Sequence, residues 1–117
     1  MTHKELLLVD LSARLPHGVK VTWDGKHSLT VTPHIYCAIA SEDKIDNLPK
    51  LLLRPMLSMT EEERKIYAKL LFADLGGVYE DYYKALDYLN SLHIDYRGLI
   101  PKGLAIAVTE DNNPYET

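Results

Sequence analysis

The chain has 117 residues, and its 46% hydrophobic and 26% charged content is typical of one globular domain and excludes a disordered chain. Its net charge of −4 has the wrong sign for a protein that binds the phosphate backbone, so we expect no nucleic-acid partner. The single cysteine, Cys37, excludes an intramolecular disulfide and a thiolate metal cage, and we therefore expect a cytoplasmic protein without metal or cofactor.

The first predicted element is a helix over residues 3–15. Thr2 and Glu5 have the spacing of a capping box, and the leucines that follow recur at helical spacing until Pro16. The apolar run at residues 6–9 is too short for a signal peptide or a membrane span, so we expect no membrane association.

Alternating apolar residues predict a β-hairpin over residues 19–40, with its turn at Asp24 and Gly25. A two-residue turn would mix apolar and hydroxyl side chains on one face, whereas a three-residue loop over residues 23–25 keeps the apolar face continuous. We therefore predict the three-residue loop, with Gly25 in the left-handed conformation. Pro33 cannot donate to a ladder, so the second strand is expected to bend there or to lie at a sheet edge.

Residues 41–58 are expected to form an irregular connector, because prolines flank its central leucines. Thr60 and Glu63 then form a second capping box, which predicts a helix. The stripe predicted to be buried on this helix consists of Ile66, Tyr67, Leu70 and Leu71. A glycine pair at residues 76–77 ends it, and a further helix is predicted over residues 79–92, burying Tyr82, Ala85, Leu86, Leu89 and Leu92.

The remaining residues are predicted to complete a sheet. Ile94 and Tyr96 alternate with polar residues, as in a short strand, and residues 104–108 form a β-prone run. We therefore assign residues 1–109 to a single domain and residues 110–117 to an acidic flexible tail. The predicted fold is α+β, with a small antiparallel sheet, made of the hairpin and the C-terminal strands, packed by about three helices.

Tyrosine occurs 8 times, and several tyrosines lie in the helix predicted over residues 79–92. Because tyrosine is favoured where one end of the side chain is apolar and the other is wet, the surplus predicts a contact surface. The predicted binding residues are Trp23, Tyr79, Tyr83 and Arg97. The leading hypothesis is a non-enzymatic binding or accessory module whose partner is another protein or a second copy of this chain. A homodimer would form on an exposed sheet edge near Pro33.

The alternative hypothesis is a small hydrolase or transferase. His93, Asp95 and Arg97 share one face of the predicted strand, and a histidine beside a carboxylate and a guanidinium group can perform acid–base or phosphate chemistry. The competing interpretation is that these three side chains form the solvated face of a half-buried strand. Neither interpretation includes a metal, since His34 and Cys37, three residues apart, would point to opposite faces of a strand.

Four segments together resemble a family of small gut-bacterial proteins, often encoded near mobile or phage-like elements, to which no activity is attached. They are residues 1–21 (MTHKELLLVDLSARLPHGVKV), 32–36 (TPHIY), 53–63 (LRPMLSMTEEE) and 88–106 (YLNSLHIDYRGLIPKGLAI), about half of the chain. The chain departs from the family pattern by a shorter connector after the hairpin, and by Leu57 and Leu92 where a serine and a histidine are expected. The resemblance implies a bacterial cytoplasmic protein and transfers no catalytic residue.

Overall fold

A computed structural model describes the backbone of residues 1–72 and 79–115 and the side chains of residues 1–71 and 83–115. The described residues form four α-helices and five strands. In chain order the elements are α1 (His3–Arg14), β1 (Lys20–Thr22), β2 (Leu29–Thr30), α2 (Pro33–Ala40), β3 (Lys50–Pro55), α3 (Glu61–Phe72), α4 (Tyr79–Ser91), β4 (Ile94–Asp95) and β5 (Ala105–Ala107). The α+β class is confirmed, with four helices where about three were predicted.

The strand β3 is the centre of the sheet and pairs with three other strands. β1 runs antiparallel to it, with Val21 opposite Leu51, and β2 pairs antiparallel with β1 at the sheet edge. β4 and β5 both pair with β3 in parallel. A parallel pair needs a long crossover connection, which α3 and α4 supply between β3 and β4. The sheet is therefore mixed, and the prediction of an antiparallel sheet is wrong for β4 and β5.

The hairpin predicted over residues 19–40 is much shorter in the structure. β2 contains only two residues, and the chain then enters α2. Thr32 is the N-cap of this helix, and its hydroxyl accepts a hydrogen bond from the N–H of Ile35. Pro33 stands in the first helical turn, where the missing N–H has no intrahelical partner to lose. The prediction of a long second strand is therefore wrong, because a cap and an N-terminal proline outweigh the alternating pattern.

The turn between β1 and β2 is longer than predicted. As predicted, odd-numbered residues of β1 pair with odd-numbered residues of β2, since Val21 lies opposite Leu29. This register places the loop at residues 23–27 and not at 23–25. Gly25 has a φ of 78°, the left-handed conformation that was predicted. The carboxylate of Asp24 accepts hydrogen bonds from the backbone N–H groups of Lys26 and His27, and these bonds close the longer loop. The exposed sheet edge predicted near Pro33 lies instead at β2, since that proline belongs to a helix.

The segment 41–58, predicted to be irregular, contains the central strand β3. Leu51 and Leu53 are fully buried and Leu52 is 6% exposed, so both faces of β3 are covered. A strand buried on both faces has a continuous apolar run instead of an alternation, which is why the periodicity did not reveal it.

The main core lies between one face of the sheet and the helices α1 and α2. Its buried members are Leu7, Leu11, Val19, Val21, Val31, Ile39, Leu51, Leu53, Leu99 and Ala105. A second cluster beside α3 and α4 is built on Met59, Leu89 and Ile94. The helix α4 packs beside α1, and the candidate site lies where these two helices meet.

The capping box that begins α3 is confirmed. The hydroxyl of Thr60 accepts a hydrogen bond from the N–H of Glu63, and the Glu63 carboxylate accepts one from the N–H of Thr60. Arg54 donates to both oxygens of the same carboxylate, and these hydrogen bonds lower the pKa of Glu63 to about 2. The start of α3 is thus tied to the end of β3.

The apolar stripe predicted on α3 is only partly buried. Ile66 is 40% exposed, so its predicted burial is wrong, whereas Tyr67, Leu70 and Leu71 are half-buried. On α4, Ala85 and Leu89 are buried, and Leu86 and Leu92 are half-buried. The predictions for the glycines at 76–77 and for the side chain of Tyr82 lie outside the described residues.

The segment after residue 109, predicted as a flexible tail, is attached to the domain through Tyr115. The phenol hydroxyl accepts a hydrogen bond from the N–H of Lys20, at 2.9 Å, and donates one to the carbonyl of Leu52, at 2.7 Å. The ring stacks on His93. The polar composition of residues 110–114 predicted an exposed tail. It gave no indication that Tyr115 anchors this segment to the domain.

Candidate functional site

A fully buried ion pair lies at the end of α1. Asp10 and Arg14 are both 0% exposed, and Arg14 Nε lies 2.7 Å from Asp10 Oδ2. Arg14 also donates to the carbonyl of Ile94, which joins α1 to β4. Arg97 Nη1 lies 2.7 Å from the second oxygen of the same carboxylate. One buried carboxylate therefore holds two guanidinium groups, and it fixes the position of Arg97.

Tyr96 stands beside these two arginines. Its ring centroid lies 5.1 Å from the guanidinium carbon of Arg14 and 4.7 Å from that of Arg97, distances typical of cation–π contacts. The Tyr96 hydroxyl donates to the side-chain oxygen of Asn90, which is buried on α4. The ring is thus fixed by contacts from α1, from α4 and from the segment after β4.

A groove of about 490 Å³ opens between α1, α4 and the segment after β4, and we call it the α1–α4 groove. Its lining residues are Ala13, Tyr83, Lys84, Leu86, Asp87, Asn90, Tyr96 and Arg97. Tyr83 is 66% exposed, and the Arg97 side chain is 23% exposed. The structure therefore brings together two of the four predicted binding residues, which come from different elements.

The charged side chains at the groove differ in whether they are paired within the protein. The Asp87 carboxylate lies 2.7 Å from Nε2 of His17, and Asp10 beneath the groove is held by two arginines. Lys84 is exposed on the groove wall. Asp10 is enclosed by two guanidinium groups, whereas the side chain of Asp87 is 67% exposed, so the groove presents aromatic surface beside one exposed lysine and one exposed carboxylate.

The other two predicted binding residues are Trp23, which lies away from the groove, and Tyr79, whose side chain is not described. Trp23 is 53% exposed in the loop after β1, where its indole N–H donates to the carbonyl of Asn47, and it does not line the groove. Tyr79 begins α4, one turn before Tyr83, and its side chain lies outside the described residues.

The three residues of the alternative catalytic hypothesis have separate partners. The His93 ring stacks on Tyr115, the Asp95 carboxylate accepts the N–H groups of Leu99 and Ile100, and Arg97 pairs with Asp10. Asp95 is 6% exposed, so the expectation that it lies on a solvated face is wrong. Among the described hydrogen bonds and ion pairs, none joins any two of the three.

His93 is in an unusual electrostatic environment. Burial and the nearby cation of Arg14 lower the pKa of His93 to about 4, so its imidazole is neutral at pH 7. Burial also raises the pKa of Tyr115 to about 12. In the described structure, Nδ1 of His93 and Nη1 of Arg14 are buried without a hydrogen-bond partner.

The prediction that His34 and Cys37 point to opposite faces of a strand is wrong. Both lie on the helix α2, where residues three apart share a face. Both are exposed. No group of three or more metal-ligating side chains occurs among the described residues. No helix in the described ranges has the length and apolar content to cross a bilayer.

Comparisons of this chain with models of protein families, with curated proteins and with solved structures find no match. The resemblance to small gut-bacterial proteins therefore stays a prediction, and so do the bacterial and mobile-element origin and the cytoplasmic location.

Sequence reasoning missed Asp10, Arg14 and Tyr96 as parts of the site. A signal was present in α1, where Leu7, Asp10, Leu11 and Arg14 follow the spacing of a single helix face. An acid and a base four residues apart on an otherwise apolar face indicate a buried ion pair.

Proposed function

We propose that this protein is a non-enzymatic binding module that holds a short segment of a partner protein in the α1–α4 groove. The observation that carries the proposal is that Tyr83 and Arg97, both predicted to bind a partner, line one groove. A volume of about 490 Å³ is within the range of roughly 300–1,000 Å³ that is usual for ligand sites.

The chemistry of the groove indicates the kind of segment that it fits. Tyr83 and Tyr96 offer aromatic surface, and Leu86 and Ala13 add apolar surface. Tyrosine and arginine are the residue types that most often dominate binding energy at interfaces. Lys84 adds an exposed positive charge on the wall, and the buried carboxylate of Asp10 is already paired with two guanidinium groups. The expected segment therefore carries an apolar or aromatic side chain next to an acidic one.

The rigidity of the groove also supports a binding role. Arg97 is held by Asp10, and Tyr96 is held by Asn90 and by two guanidinium groups. Side chains that are already fixed lose less conformational entropy when a partner binds. The engagement of His93, Asp95 and Arg97 with separate partners favours this function over a hydrolase or transferase.

The proposal is tested by selecting peptides from a random library on the immobilised protein. Selected peptides are expected to contain an acidic residue beside an aromatic or large apolar one. Their affinity is expected to fall at least tenfold in Tyr83→Ala and in Lys84→Glu, because both positions line the groove. Lys69→Glu is the matched control, since it makes the same charge reversal at an exposed position on α3. Equal affinity for Lys84→Glu and Lys69→Glu would contradict a site in this groove.

A further inference from the structure

The edge of β3 that faces β1 contains a gap. Backbone N–H groups of successive strand residues point to opposite edges, and the Leu51 and Leu53 hydrogen bonds go to β5 and its flanks. The N–H of Arg54 therefore points to the other edge, where it donates to the carbonyl of His93. β1 and β4 therefore lie one after the other along the same edge of β3. Between the two paired stretches, Leu52 is the residue of β3 whose backbone groups point to this edge.

The hydroxyl of Tyr115 fills this gap. Val21 lies opposite Leu51 and Thr22 opposite Lys50, so the next opposed pair is Lys20 and Leu52. In a regular ladder the Lys20 N–H would donate directly to the Leu52 carbonyl. Instead the hydroxyl accepts from that N–H and donates to that carbonyl, at 2.9 and 2.7 Å. The sheet here is completed by one phenol group.

The surroundings of this side chain match the stacking and hydrogen-bonding capacity of a phenol. One ring face is covered by the imidazole of His93, at 3.6 Å between centroids. The backbone of β1 supplies a donor and that of β3 supplies an acceptor. Since a phenol hydroxyl both donates and accepts one hydrogen bond, it satisfies both strands, which a phenylalanine ring cannot do.

The segment that carries Tyr115, residues 109–115, makes its described hydrogen bonds to the rest of the domain through this side chain, and we call it the strap. Among the described hydrogen bonds, those that join the strap to the rest of the domain are both made by the Tyr115 hydroxyl. Its other hydrogen bonds are internal, from Asn112 to Thr109 and from Tyr115 to Asn113. The strap thus depends on a single anchor.

Two grooves flank the strap. One of about 260 Å³ lies between residues 111–114 and the loop after β1, and one of about 510 Å³ lies beside Arg54 and Glu63. Asn113 lines both grooves, so they meet at the strap. Displacement of the strap would expose the site that Tyr115 occupies.

We propose that the space between β1 and β4 is a binding site for a tyrosyl side chain, filled by Tyr115 of the strap and open to a tyrosine from another peptide when the strap leaves. The recognised chemistry is a phenol on an acidic, turn-forming segment, of which the strap sequence TEDNNPY is the example at hand. In the intact chain the strap competes for its own site at a high effective concentration.

The test uses the full chain with Tyr115→Ala and synthetic peptides of the strap sequence. The variant is expected to bind TEDNNPY, and to bind TEDNNPF at least about fivefold more weakly, because the phenylalanine peptide lacks the two hydrogen bonds of the phenol hydroxyl. Tyr67→Ala is the matched control, since it removes a half-buried tyrosine elsewhere and should bind neither peptide. Isothermal titration calorimetry measures all four affinities.

If Tyr115→Ala does not fold alone, TEDNNPY or millimolar p-cresol is expected to restore its cooperative unfolding transition, while toluene is not. Ligand binding to the folded state alone stabilises it in this way. The proposal is overturned by equal binding of the two peptides, by no binding to a folded variant, or by failure of both TEDNNPY and p-cresol to refold an unfolded one.

Discussion

The imidazole of His93 lies flat against the phenol ring of Tyr115, with the ring centroids 3.6 Å apart and the planes 11° from parallel. His93 has a φ of 60°, a left-handed conformation that is uncommon for residues with a side chain. The backbone between α4 and β4 therefore turns sharply to place this ring under the strap. The contact joins two parts of the chain that sequence reasoning treated separately, a candidate catalytic residue and a flexible tail.

This contact predicts a pH dependence of stability. The folded pKa of His93 is about 4, below the ordinary value of 6.5, so between these values the unfolded chain binds more protons than the folded one. The free energy of unfolding should therefore fall as the pH decreases from 6.5 to 5, by on the order of 1–2 kcal/mol. Urea denaturation at several pH values measures the slope.

The matched variant for this measurement is His93→Asn, since asparagine tolerates a positive φ and does not titrate. Its slope between pH 5 and 6.5 should be nearly flat. His27 does not interfere, because Asp24 raises its pKa and its contribution is lost only above pH 6.5. Glu63, with a folded pKa of about 2, loses its contribution below about pH 4.5. An unchanged slope in His93→Asn would exclude His93 as the origin of the effect.

The hydroxyl of Tyr115 predicts a second result. Tyr115→Phe keeps the ring on His93 but leaves the Lys20 N–H and the Leu52 carbonyl without their bridge. The free energy of unfolding should fall by about 1–3 kcal/mol, the cost of unsatisfied buried polar groups. Tyr67→Phe is the control, because the Tyr67 hydroxyl makes no described hydrogen bond and its loss should cost less than about 0.5 kcal/mol. Equal effects of the two variants would contradict the bridging role.

The buried carboxylate of Asp10 predicts a third result. Asp10→Ala leaves the fully buried guanidinium group of Arg14 without its counter-charge, which should destabilise the fold by about 3–5 kcal/mol. Arg14→Met alone leaves Asp10 paired with Arg97. The double variant should be more stable than Asp10→Ala alone, since it removes the unpaired charge. Chemical denaturation of the three variants measures the coupling, and purely additive losses would show that the pair is not coupled.

The start of α2 predicts a fourth result. Thr32→Ala removes the hydroxyl that caps this helix and should lower the free energy of unfolding by about 1 kcal/mol. Thr30→Ala, two residues earlier on the exposed strand β2, removes only a surface hydrogen bond from Lys20 and should change it by less than about 0.5 kcal/mol. The same chemical change at neighbouring threonines thus separates the cap from the edge strand. A loss in Thr30→Ala as large as in Thr32→Ala would argue against the cap.

Local signals in the sequence predicted the elements whose start and end are chemically marked. The capping boxes at Thr2 and Thr60 and the apolar spacing after them located α1 and α3. The pair Thr32 and Pro33 carries the same kind of signal for α2, whereas the alternation over residues 35–39 predicts a strand. A cap followed by proline at the first helical position is the stronger indication, since it rests on defined hydrogen bonds.

Other features depend on contacts that no local pattern contains. The leucines of β3 are a strand only because β1 and β5 cover both of its edges. Tyr115 is an anchor only because a gap between β1 and β4 lies beside it. Surplus tyrosine composition indicated Tyr83 as a contact residue, but its place in a groove with Arg97 depends on the packing of α4 beside α1.

The position of β3 also affects how the chain must fold. Val21 and Ala105, the partners of Leu51, lie near opposite ends of the chain, so the ladder closes only through contacts between distant residues. Such topologies fold more slowly than those built from neighbouring segments. A nascent chain that has not yet reached β5 would expose unpaired backbone along three consecutive leucines, the kind of edge on which aggregation begins. Slower synthesis or a lower growth temperature during production should therefore raise the yield of folded protein.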